Sequence, residues 1–398
     1  MKMRDTITPD GTKDLIFEEY DNYVTVSQKI TDLFVRQGYK GVLTPTLEYY
    51  DVFAKSAQYL PLDVMYKLVD EKGRLLVLCP DCTIPVARLV TTRLKDQKKP
   101  LRLYYHHNIY RMELDKRGKP IEVNQIGIEL VGGVERKSDF EVVELASDCM
   151  KAIGEQQYRF ELCHIGYFKA IMQSMDMEED VKETIHRYIE QKNYAALTNI
   201  LEPYKEQRAA RALLQLPRLF GGMEVIEQAY TLFDENGAKE SLDDLKRVYE
   251  YVQSFGEENQ VMIDLGLVNQ ADYYTGIIFR GYLNGIGEPV LSGGRYDKLL
   301  GEFGEDSKAI GFGINVGLAS KRISKQEDEK RKLIVCAKNE SYAIKASKYQ
   351  RQLREEGMIV INSVLDCMED VIAYAKQEQI KEIHIVGDEV EVRKEEMI

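Results

Sequence analysis

Strand-like runs stand on both sides of a long stretch that reads as helix almost throughout. Before it come Leu103–Glu113 and Ile121–Val131; after it come Val261–Leu265, Ile277–Tyr282 and Pro289–Ser292, followed by a Gly-rich stretch over Gly311–Gly317. The stretch between, about residues 166–255, is broken only at Gly221-Gly222. The two sets of strands are alike in kind, so they share one core if the helical block is an insertion into a single antiparallel-sheet domain. That predicts an α+β core over residues 1–320, with helices flanking the sheet.

Upstream, Tyr23, Val26, Ile30, Leu33 and Phe34 recur at helical spacing, and Gly38 closes the pattern, predicting a helix from Phe17 to Gln37. Val42–Leu47 reads as a strand whose Pro45 belongs at an edge or bulge. Arg74–Leu78 and Leu101–Tyr105 read as further strands, with a helix at Thr83–Lys95 between them. Residues 321–332 carry nine charges in twelve positions and read as a solvated linker. Beyond them a small α/β domain spans 333–398, with strands at Leu333–Cys336, Met358–Asn362 and Glu382–Val386 and helices at Tyr342–Glu356 and Cys367–Gln377. Asp366 with Glu369 makes a capping-box-like start for the second helix.

Charge narrows the function classes. With 54 Lys and Arg against 66 Asp and Glu the chain carries −12, the opposite of a general nucleic-acid binder. No apolar run is long enough to span a membrane, and the N-terminus has no apolar signal region. Six scattered cysteines in 398 residues need no disulfide framework, which points to reduced thiols and a cytoplasmic setting.

Single motifs say little. Cys79-Pro80-Asp81-Cys82 lacks a second ligand pair for zinc and reads as packed thiols. His106-His107 point to opposite faces of a strand, so they share no metal. Gly293-Gly294-Arg295-Tyr296-Asp297 lacks a phosphate-loop pattern.

The ordered set is far more specific. Pro80-Asp81-x-Thr83, Tyr110-Arg111-Met112-Glu113, Gln125-Ile126-Gly127-Ile128-Glu129, Ala271-Asp272-Tyr273-Tyr274-Thr275-Gly276, Ser292–Asp297 and Ala309-Ile310-Gly311-Phe312-Gly313 together resemble histidyl-tRNA synthetase in order and spacing. Gly38-Tyr39 through Leu47-Glu48 resembles the first class II synthetase motif, which builds the dimer in that family. The resemblance covers about residues 8–320 and implies a class II aminoacyl-tRNA synthetase-like fold; the terminal unit resembles a shortened anticodon-binding domain. It also implies roles. Arg111 matches the Arg that holds the amino-acid carboxylate and α-phosphate, and Glu113 the residue near adenine. Asp81 stands where a carboxylate reads the α-amino group. Gln125 and Glu129 match polar residues facing the substrate, and Tyr273 and Tyr274 the segment covering the imidazole. With Thr83 these form the candidate histidine-binding set.

The nucleotide side departs from the family. Its histidine-specific catalytic Arg falls at Asn269, and the Arg that grips the γ-phosphate end falls at Leu318. The loop with Lys116, Arg117 and Lys119 lacks the family's Glu-Arg-Pro-Gln start. A hydrogen bond to a charged group contributes about 1.5–3 kcal/mol. Losing two costs roughly 3–6 kcal/mol, on the order of a hundred- to ten-thousandfold in adenylation rate.

A pocket kept while activation is lost suits a sensor. The stretch from Pro80 to Arg111, with Thr8-Pro9-Asp10-Gly11, resembles the regulatory subunits of ATP phosphoribosyltransferase more than the synthetases, although Cys79 replaces their usual Arg. That resemblance implies a non-catalytic subunit of histidine biosynthesis. It would have no catalytic residues, metal or cofactor, would form a homodimer through the core, and would bind histidine and a short-form catalytic subunit as partners, with no nucleic acid and no membrane. The alternatives are an active histidyl-tRNA synthetase and a non-catalytic tRNA-binding paralogue. Residues 333–398 hold 9 Lys and Arg against 13 Asp and Glu, which disfavours anticodon recognition.

Overall fold

The computed structural model describes residues 6–56, 60, 62–112, 120–154, 157–256, 260–268, 274–323 and 331–394. They fall into two compact units divided at Ile323–Ser324.

The first unit is built on helix α1 (Glu18–Arg36), strands β1 (Lys40–Gly41) and β2 (Leu47–Tyr49), α2 (Tyr50–Ala54), β3 (Lys67–Val69), β4 (Leu75–Leu78), α3 (Thr83–Thr92), β5 (Leu101–Tyr110), β6 (Glu122–Val131), α4 (Glu135–Gly154) and β7 (Tyr158–His164). Helices α5 (Ile165–Gln173), α6 (Glu179–Glu190), α7 (Tyr194–Leu201) and α8 (Arg208–Gln215) follow, then β8 (Phe220–Gly221), α9 (Met223–Leu232) and α10 (Ala238–Gln253). The chain returns with β9 (Val261–Asp264), β10 (Ile277–Leu283), β11 (Leu291–Arg295), β12 (Ala309–Asn315) and α11 (Val316–Ala319).

Nine strands form one sheet in the order β1-β5-β6-β12-β11-β10-β7-β9-β8. The run from β5 to β7 is antiparallel throughout; β1 against β5 and β7 against β9 are parallel. Strands distant in sequence lie side by side, β6 on β12 above all, as expected if the helical block is an insertion. The block is not separate from the sheet, because Phe220-Gly221, beside the glycine pair read as a break, pairs with Asp264 and Ile263. One face of the sheet carries Ile126, Ile128, Ile310, Phe312, Ile314 and Phe279, all buried. Phe34 of α1 meets Phe312 edge-on at 5.8 Å, so α1 and α4 cover this apolar face. The opposite face is glycine-rich and polar.

Two local expectations are corrected. Of Val42–Leu47 only Leu47 lies in a strand, as the first residue of β2; residues 42–46 span the gap between β1 and β2. Pro45 has no N–H to give to a ladder, and the segment is held by single bonds, Val42 N–H to Tyr104 O at 2.8 Å and Cys79 N–H to Thr46 O at 2.8 Å. The last helix begins one residue later than its capping pattern suggests: Cys367 is the N-cap, and its sulfur accepts from Asp370 N–H at 3.4 Å.

The second unit has β13 (Lys332–Ala337), α12 (Ala343–Glu355), β14 (Ile359–Asn362), α13 (Met368–Gln377), β15 (Glu382–Val386) and β16 (Val390–Lys394). Its sheet order is β14-β13-β15-β16, parallel except for β16, an antiparallel edge strand missed in the sequence. Apolar residues cover both faces, Val371 and Ile383 on one and Leu333 and Leu353 on the other, so this unit has a core of its own.

Candidate functional site

The loop before α3 is stitched down at its start. Cys79 N–H bonds Thr46 O, and Tyr110 N–H bonds Cys79 O at 2.9 Å. Asp81 then folds its carboxylate over the first turn of α3, accepting from Ile84 N–H at 3.0 Å, where a negative group is favoured. Its other oxygen faces Arg111 at 3.2 Å. Arg111 is anchored by donating from Nε to Pro80 O at 2.6 Å, while its side chain stays 42% exposed. The acid and the base expected at opposite ends of an amino acid therefore converge on one edge of the site.

Gln125 and Glu129 come from β6, and their period-2 spacing puts both on the polar face of the sheet. Their side chains need room, and β12 supplies it. Gly311 lies opposite Glu129. A Cβ on Gly311 would lie 1.9 Å from Glu129 Oε2, and one on Gly313 would lie 2.4 Å from Gln125 Nε2. Gly294 of β11 continues the row opposite Gly311 and takes the Tyr274 ring, which a Cβ there would meet at 2.8 Å. The glycines of the two motifs thus floor a trough under Gln125, Glu129 and Tyr274. The Tyr105 hydroxyl donates to Gln125 Oε1 at 3.4 Å.

Glu129 is fully buried, and burial pushes its carboxyl up to about 8. Hydrogen bonds from the Tyr296 and Thr83 hydroxyls pull the other way, and the nearby Asp81 charge raises it further. Tyr296 is fixed by its neighbour Arg295, which is 1% exposed. Arg295 donates to Asp139 at 2.6 and 2.9 Å, to Asp297 at 2.9 Å and to Glu135 O at 2.8 Å. Sequence reasoning quoted Tyr296 and the glycines inside motifs without giving them these roles.

Of the candidate set, Asp81, Thr83, Arg111, Gln125 and Glu129 gather here. Tyr274 is buried, its carbonyl accepting from Lys169 Nζ at 2.8 Å. Tyr273 lies outside the described residues, as do Asn269, Glu113, Lys116, Arg117 and Lys119. Leu318 is half-buried in α11, its N–H capped by Asn315 Oδ1 at 3.0 Å. It borders a cavity of about 660 Å³ whose bordering cations are Lys13 and Lys321.

The other motifs resolve structurally. Cys79 and Cys82 are buried thiols, and hydrogen bonding with Cys79 raises the Cys82 thiol. His107 bonds Thr44 O at 2.9 Å, whereas His106 bonds Asn124 at 2.7 Å and the Tyr23 hydroxyl at 3.0 Å. Among the described residues no group of three His, Cys, Asp or Glu side chains is placed to hold a metal.

Comparison with known proteins identifies the family. The family model for histidyl-tRNA synthetase matches residues 11–317. An ATP phosphoribosyltransferase regulatory subunit of Clostridium kluyveri is 37% identical, covering 95% of this chain and 98% of its own. One from Clostridium novyi is also 37% identical, over 96% of this chain and 92% of its own. A solved Bacillus halodurans structure described as an ATP phosphoribosyltransferase regulatory subunit/histidyl-tRNA synthetase superposes with a TM-score of 0.83 at 32% identity, covering 94% of this chain and 97% of its own. A Nostoc histidyl-tRNA synthetase at 19% identity shares the fold, with a TM-score of 0.81 over 98% of this chain and 94% of its own. With a class II synthetase-like core and relatives matched over almost the whole chain, this protein belongs to the family of ATP phosphoribosyltransferase regulatory subunits, which carry the histidyl-tRNA synthetase-like domain.

Proposed function

We propose that this chain is a non-catalytic subunit that switches on a short-form ATP phosphoribosyltransferase and lets histidine switch it off. One arrangement supports the reading: Asp81 pairs with Arg111 at 3.2 Å and its charge acts on the buried Glu129, while Leu318 stands at the position matched to the γ-phosphate Arg. Burying a zwitterion is costly unless both charges are paired. Here the ammonium meets Asp81, the carboxylate meets Arg111, and the imidazole lies toward Glu129 and Tyr274. In this reading the chain works as a homodimer. Support comes from β1, an edge strand of the sheet, and from its neighbour Leu43, 79% exposed, because edges need pairing or covering.

Regulation requires histidine to favour one quaternary state and the substrates another. A coupling of about 1–3 kcal/mol shifts half-inhibition by roughly 5–150-fold. The test mixes this chain with a short catalytic subunit and assays ATP phosphoribosylation with and without histidine. The mixture should be much more active than the catalytic subunit alone, and histidine should suppress it. Two proteins that neither co-elute nor alter each other's rate would overturn the proposal.

A further inference from the structure

A cavity lies on the same polar sheet face, under the helical insertion. From β6 to β7 there are four strand steps, or about 19 Å, so this space is separate from the trough around Glu129. It is a cavity of about 230 Å³ between the end of the sheet and the residues joining α6 to α7.

Its floor is acidic. Glu161 of β7 pairs with Met262 of β9, so Asp264, two residues on, projects from the same face. Like charges at neighbouring positions on one face oppose each other. Glu161 is raised by burial and by Asp264; Asp264 is raised by burial and eased by Gly266 N–H at 2.9 Å. Its rim is basic. Arg159 meets Glu161 at 2.8 Å with its guanidinium over the rings of Phe220 and Tyr282, at 5.8 and 4.9 Å. Lys192 ends α6 in the left-handed conformation at φ 53°, its N–H bonded to Ile189 O at 3.0 Å. Its charge acts on Asp264. Ile189, Pro217 and Phe220 supply an apolar wall.

We infer that this cavity is a binding site for a free α-amino acid, distinct from the candidate histidine trough. The volume corresponds to about eight waters at ~30 Å³ each, and it is below the ~300 Å³ where pockets for drug-sized ligands begin. That excludes nucleotides and folded peptides. A lone cation would face Arg159 and Lys192, and a lone anion would face Glu161 and Asp264. A ligand carrying both signs meets both: its ammonium sits over the two carboxylates, its carboxylate turns to Lys192 and the Tyr194 hydroxyl, and its side chain lies on Phe220 and Pro217.

The test is calorimetry on the full chain carrying Asp81→Ala and Arg111→Ala, which removes the trough as a competing site. The twenty standard L-amino acids are titrated singly, with propylamine and acetate as single-charge probes. At least one amino acid should bind, and Lys192→Gly should weaken it at least tenfold. Glycine suits the left-handed backbone at that exposed position, so this variant keeps the fold. Asp264→Asn should weaken binding comparably. No binding at millimolar concentration, binding indifferent to both substitutions, or propylamine binding as tightly as the amino acid would each overturn the inference. Because the trough is disabled throughout, none of these outcomes bears on the proposed regulatory function.

Discussion

Glu129 lies behind the Asp81–Arg111 pair with a carboxyl that burial raises to about 8. An unfolded carboxyl titrates near 4.3. Between those values the native state holds a proton that the unfolded state has lost, so this group's contribution to stability falls as pH rises from about 4.5 to 8 and is flat above. Glutamine has no such dependence. Glu129→Gln should therefore gain on the parent protein as pH rises, by at most on the order of 5 kcal/mol across the window. Urea unfolding of both proteins at pH 5, 7 and 8.5 measures it; a gap that does not change with pH would mean Glu129 is ionised throughout. Asp81→Ala and Arg111→Ala should each weaken histidine binding at least tenfold, since each strands one end of the zwitterion; calorimetry reads this directly, and unchanged affinity in both would move the site elsewhere. Asp81, Arg111, Gln125 and Glu129 were legible because each sits in a short, ordered motif. The bonds from Tyr296 and Thr83 to Glu129 were not, because they cross from other elements whose register no local pattern reveals.

At the scale of elements, the glycines of β12 decide whether the trough exists. Gly311→Ala would put a methyl 1.9 Å from Glu129 Oε2 and 2.3 Å from Ile128 O. The carboxylate can swing but the backbone carbonyl cannot, so the strand must move. The substitution should lower the melting temperature by several degrees and abolish histidine binding. Gly301→Ala, with nothing within 4 Å of the added atom, should leave both unchanged. Thermal unfolding followed by circular dichroism distinguishes the two, and equal melting temperatures would show that β12 has slack at this point. Long elements such as α1, β5 and β6 were readable from period and length. The segment at Val42–Leu47 misled because its composition favours strand while Pro45 and its partners prevent a ladder. β16 escaped notice because an exposed edge strand of mixed charge, Val390–Lys394, has little apolar signal of its own.

Across the whole molecule, the polar sheet face holds the residues of the proposed histidine site, and the chain departs from a synthetase on the nucleotide side. Activating an amino acid requires charge placed where negative charge develops on the phosphates. Arg111 is present, donating to Pro80 O and Asp81. Leu318 offers an apolar side chain at the position matched to the γ-phosphate Arg, and Asn269 is neutral where a catalytic Arg is expected. Asn and Leu cannot neutralise a phosphate, and the combined deficit of roughly 3–6 kcal/mol corresponds to on the order of a hundred- to ten-thousandfold in rate. Histidine-dependent exchange of pyrophosphate into ATP should therefore remain at background, even at histidine concentrations that saturate the trough. Restoring both cations with Asn269→Arg and Leu318→Arg tests the same deficit from the other side. Detectable exchange in the double variant alone would tie the missing activity to those two positions. Exchange by the unmodified chain at the rate of a working synthetase would show that Lys13, Lys321 or another cation does the neutralising, and that the chain is an enzyme.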